Sequence, residues 1–108
     1  MPQIIIRGMD EAPVKAISGG LVDELTEIVG CPRDYFTIEL LPSIFIADGK
    51  AVEGTPFVQV NWFDRGQAVQ DRAAAAIDRH IRGAGYRQTD IFFLVLQEQK
   101  YYENGRHY

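Results

Sequence analysis

The chain of 108 residues is 46% hydrophobic and 24% charged, which excludes disorder and low complexity and leaves too little length for two separately cored domains, so residues 1–108 are expected to form one. Eleven basic against fifteen acidic side chains give a net charge of −4, the wrong sign for neutralising phosphates across a broad face, so no nucleic-acid partner is expected. Cys31 is the single cysteine and no apolar run approaches the ~18 residues of a membrane span, which points to a cytoplasmic protein with no disulfide and no membrane partner.

Pro2 to Arg7 is a β-rich run that opens on a proline, where a missing N–H harms a ladder least. Asp10 is placed to cap a helix with Pro13 in its tolerant first turn, and Val14, Ile17, Leu21, Leu25 and Ile28 recur at helical spacing up to Gly30. Gly19-Gly20 costs that helix ~1 kcal/mol per glycine relative to Ala, a loss that close packing by a neighbour would explain. After the break at Cys31-Pro32, Tyr35 to Leu41 reads as a second strand. Asp48-Gly49 between two short apolar runs predicts a small hairpin arm, and Phe57 to Phe63 a further strand. Asp64, with Gln67 three residues on, suggests a capped helix carrying Val69, Ala73, Ile77, Ile81 and Ala84; Gly83 and Gly85 end it. Asp90 to Gln97 is the last long strand, and Asn104-Gly105 centres a terminal hairpin.

The predicted fold is therefore α+β. Two β-α-β units give a four-stranded mixed sheet with both helices on one face, plus a small β arm and a C-terminal hairpin. The two halves share a 33-residue interval, from Pro2 to Tyr35 and from Phe57 to Asp90, which suggests a duplicated unit. One sheet face is left bare, and one Trp, five Tyr and six Phe exceed what a two-layer domain of this size hides, so other subunits are expected to cover that face.

Chemistry has few places to reside. Neither His80 nor His107 has a partner at metal-ligand spacing, no Cys-x-x-Cys occurs, and no glycine-rich phosphate loop is present, so no metal and no cofactor is expected. His80 reads as a helix-flank residue, His107 as solvated, and Cys31 as a small buried side chain. Pro2 remains. Initiator methionine is generally removed before proline, which would free a secondary amine at the head of a core strand. An α-amino group titrates near ~7.7–8.0, and apolar walls with nearby cations push it toward neutrality, where a general base works best. Taken alone, Pro2 also fits as a residue that merely begins a strand. If Met1 stays attached, its nitrogen is an amide and no base.

Met1-Pro2 heading an apolar strand, Cys31-Pro32-Arg33-Asp34-Tyr35 leading into the second, and the second β-α-β half together resemble the tautomerase superfamily, the branch of macrophage migration inhibitory factor being nearest in length. Cys31 to Tyr35, Trp62 to Gln67 and Tyr101 to Gly105 further resemble a small uncharacterised bacterial group of that superfamily. The resemblance implies a homotrimer in which the amine of Pro2 moves a proton between carbon and oxygen of a small 2-oxo acid. It also implies a pocket-edge role for Tyr35 and substrate contact at the backbone of Phe63. The branch's lysine falls at Cys31 and its pocket tyrosine and asparagine at Phe92 and Leu94, so the cation is sought in Arg33 or Arg65 and the proton donor in Tyr102 or Asn104. The same pocket could hydrate or decarboxylate. The order β-α-β-β-α-β also fits a ferredoxin-like binding or scaffold module that needs no free amine.

Overall fold

In the structure, a computed structural model that describes residues 2–108, the elements run β1 (Gln3–Arg7), α1 (Glu11–Val29), β2 (Thr37–Leu40), β3 (Phe45–Ala47), β4 (Lys50–Val52), β5 (Phe57–Trp62), α2 (Gln67–Gly83), β6 (Asp90–Val95), β7 (Tyr102–Glu103) and β8 (Arg106–His107). The main sheet has the order β2-β1-β5-β6, with β1/β2 and β5/β6 parallel and β1/β5 antiparallel, which is the mixed sheet expected of two adjoining β-α-β units.

Strand alternation sorts the two faces. Ile4 and Ile6 of β1 and Val58, Val60 and Trp62 of β5 are buried against Val14, Leu21 and Leu25 of α1 and Ala73, Ala76, Ile77 and Ile81 of α2. Each buried Leu or Ile contributes ~1.5–3 kcal/mol, so this one interface between sheet and helices is the dominant stabilising element. The opposite face carries Ile5, Phe57, Phe92 and Leu94 beside a ladder of amides, in which Gln59 donates to Asn61 at 2.8 Å and Asn61 to Gln3 at 3.4 Å. Phe57 and Phe92 meet edge to face at 5.6 Å and remain 38% and 40% exposed, so the bare face is present.

Local chemistry sets the boundaries. Asp48 and Gly49, at φ 51° and 75°, close the β3–β4 arm, and Asn104 and Gly105, at 52° and 79°, close β7–β8; both pairs form the turn that right-twisted hairpins require. At the start of α2 the expected cap is displaced. The Asp64 carboxylate accepts the Gly66 N–H at 2.8 Å, and Gly66 itself occupies the cap position. Asp10 does precede α1 but makes no side-chain cap bond; its own N–H donates to the Tyr86 hydroxyl at 3.2 Å. Of the glycine pair in α1, only Gly20 faces a neighbour, and a Cβ there would meet His80 at ordinary contact distance while Gly19 faces open space. Close packing therefore accounts for one glycine and not the other. Among the described residues no helix is long and apolar enough to cross a membrane.

Candidate active site

The head of β1 is held from both sides. The Thr37 N–H donates to the Pro2 carbonyl at 3.2 Å, and the β1/β5 register that pairs Gln3 with Asn61 brings Pro2 opposite Trp62. Pro2 shares strand parity with Ile4 and Ile6, so its ring is buried on the helix side of the sheet. Tyr35, 38% exposed, ends a single 3-10 turn (Arg33–Tyr35) just before β2, which sets it at the same end of the sheet.

The tail reaches this end as well. Phe63, the residue after β5, is buried under Tyr108, whose ring stacks on it with centroids 4.8 Å apart and planes at 25°. Tyr101 meets both rings edge to face, at 5.4 Å from Phe63 and 5.2 Å from Tyr108, and its carbonyl accepts the Tyr108 N–H at 3.0 Å. Such a cluster adds ~0.5–1.5 kcal/mol per aromatic pair beyond burial, enough to seat the tail hairpin on the end of β5. A cleft then opens between Asp34 and Tyr35 on one wall and Asn104, Arg106 and Tyr108 on the other. Loss of hydration raises the Tyr108 phenol above its ordinary range; Tyr35 adds to the rise and Arg65 opposes it, which sets both side chains within electrostatic reach of the hydroxyl.

The two candidate arginines are placed differently. Arg33 is committed to α1: its Nε donates to Asp23 at 2.9 Å and its Nη2 to the Gly19 carbonyl at 3.2 Å. Arg65 is half-buried, forms no ion pair among the described residues, and has a buried Nε with no acceptor. A half-buried guanidinium without an anion is an open position for a carboxylate. Tyr102 is 59% exposed and does not line the cleft, its ring lying 4.5 Å from that of His107, whereas Asn104 and His107 both line it. Phe92 and Leu94 lie on the bare face of β6.

Sequence reasoning missed two groupings. Tyr101 and Tyr108 pack on Phe63 across about forty residues, a contact that no local period announces. Away from the cleft, Glu24 of α1 accepts from Arg79 at 2.8 and 2.9 Å and lies 3.0 Å from His80 Nε2, both on α2. The bonds from Arg79, then His80, hold the Glu24 carboxyl down at about 2. Cys31 is buried, as its place in the turn suggests.

The family model described as Domain of unknown function (DUF1904) matches residues 1–107. A DUF1904 domain from Sebaldella termitidis ATCC 33386, known as a crystal structure, is 38% identical over 100% of both chains with a TM-score of 0.94. The fold extends to more distant proteins. A macrophage migration inhibitory factor-like protein from Entamoeba histolytica covers 99% of this chain and 98% of its own at 16% identity and a TM-score of 0.73. A fused 4-OT described as an asymmetric trimer covers 97% and 94% at 15% identity and a TM-score of 0.80. No curated protein matches the sequence.

Proposed function

The chain belongs to the DUF1904 family and has the α+β fold of macrophage migration inhibitory factor-like and 4-OT proteins, and from that premise we propose that it is a tautomerase-like isomerase of small 2-oxo acids. The Pro2 amine, freed of Met1, is the base. The observation that supports this reading is that Pro2, buried at the head of β1 opposite Trp62, and Arg65, three residues beyond Trp62 and without an anion among the described residues, belong to the same end of the sheet.

The mechanism follows from charge and desolvation. Apolar surroundings and a guanidinium at the same end of the sheet both disfavour a protonated amine, and a Pro2 base requires that effect near neutral pH. Arg65 takes the substrate carboxylate through two parallel N–H bonds, which fixes the carbon to be deprotonated against that lone pair. The proton passes from carbon to nitrogen, and the charge arriving on the 2-oxo oxygen is stabilised by the same cation. Tyr35 and Asn104 form the walls of the cleft.

Assembly belongs to the same proposal. The fused 4-OT relative is described as a trimer. A homotrimer of this chain would cover the face that bears Ile5, Phe57, Phe92 and Leu94, and its amide ladder would supply interchain hydrogen bonds. The reaction is tested with 3-bromopyruvate on untagged protein of confirmed mass. Alkylation of Pro2 with parallel loss of enol-phenylpyruvate ketonisation is the expected result. Modification confined to Cys31, with activity lost in step, would transfer the chemistry to the thiol.

A further inference from the structure

The proline mechanism leaves the 2-oxo oxygen in need of a proton donor, and the residues expected for that role do not share a position. Tyr102 turns toward His107, and Asn104 carries an amide too weakly acidic to give up a proton. Resting on the isomerase reading above, we propose that Tyr108, stacked on Phe63 beside the cleft wall of Tyr35, is the group that hydrogen-bonds the 2-oxo oxygen and delivers its proton.

Three features support this. The ring is fixed from two directions, by Phe63 beneath it and Tyr101 at its edge, and its backbone is tied to Tyr101, so the hydroxyl is held without help from substrate. The residue is nevertheless 43% exposed and lines the cleft, so it can meet a ligand there. A phenol is protonated at neutral pH, the form required of a donor, and although loss of hydration raises the Tyr108 hydroxyl, Arg65 opposes that rise and so favours the phenolate that forms when the proton leaves.

The step balances. The Pro2 nitrogen takes the proton from C3, the C3–H electron pair becomes the C2=C3 bond, and the carbonyl π pair moves to oxygen, which takes the phenolic proton. Water returns the proton from the prolinium to the phenolate, and ketonisation runs the same transfers in reverse: the phenolate takes the enol proton and the prolinium protonates C3.

Tyr108→Phe keeps the stacked ring and removes only the hydroxyl. Its kcat for enol-phenylpyruvate ketonisation should fall roughly 10²-fold with a much smaller change in KM and an unchanged melting temperature, since the bond to the 2-oxo oxygen is strongest in the transition state, where the proton is in transfer. Phe63→Leu, which loosens the ring, should lower kcat in the native background and add nothing in the Tyr108→Phe background. Full kcat in Tyr108→Phe, or a loss confined to KM, would overturn the assignment while Pro2 labelling and wild-type turnover still stood. Wild-type protein that neither turns over nor labels at Pro2 would refute the proline reading and this assignment together.

Discussion

Arg65→Gln removes a half-buried guanidinium that finds no carboxylate among the described residues and has a buried Nε with no acceptor, while keeping much of the side-chain length and some hydrogen bonding. A hydrogen bond to a charged group is worth ~1.5–3 kcal/mol, and ~1.4 kcal/mol is a factor of ten, so KM for a 2-oxo acid should rise roughly tenfold to 150-fold. Arg33→Gln is the matched comparison. Its ion pair with Asp23 has side-chain exposures of 56% and 69%, which limits the cost to ~0–1 kcal/mol of stability and predicts an unchanged KM. Initial rates of enol-phenylpyruvate ketonisation over a range of concentrations read both variants, with urea midpoints measured in parallel to separate binding from folding. A raised KM in Arg33→Gln beside a normal KM in Arg65→Gln would refute the placement of the carboxylate.

Gly8, at φ +80°, abuts the Thr55 carbonyl, so Gly8→Ala should destabilise by more than ~2 kcal/mol, whereas Gly19→Ala in open space should stabilise by ~0.5–1 kcal/mol; equal melting temperatures would contradict the local geometry. The Glu24 carboxyl is lowered from 4.5 to about 2, so its contribution is complete above pH 4.5 and is lost as pH falls through 2. The gap in urea midpoint between wild type and Glu24→Gln should therefore close over that range, and a gap independent of pH would count against the pairing. Phe92→Asp combined with Leu94→Asp should lower the molar mass in light scattering from trimer to monomer with the far-UV spectrum retained; an unaltered mass would show that this face is not the interface.

The sequence was most informative where short-range rules act. The apolar periods placed α1 and α2, because burial against the sheet demands one stripe from each, although Ala84 fell outside its stripe once α2 ended at Gly83. Asp48-Gly49 and Asn104-Gly105 announced their hairpins because few residue pairs accept positive φ in succession. The start of α2 was harder to read: Asp64 has two possible acceptor roles, and the nearer Gly66 N–H won. Pro2 was raised by its chemistry and became the leading candidate only through the family resemblance, and nothing local distinguished Arg33 from Arg65, which differ in the structure by the bonds from Arg33 to Asp23 and Gly19. Tyr108 and the Glu24 cluster were hidden because each depends on a contact between distant elements.

The central claim is that a free Pro2 amine does the chemistry. Enol-phenylpyruvate ketonisation measured on two preparations of verified intact mass, one beginning at Pro2 and one retaining Met1, tests it most directly. The first should be active, with a rate that changes as the amine titrates. The second should be inactive, because an amide nitrogen has no available lone pair. Equal rates in the two would contradict the account.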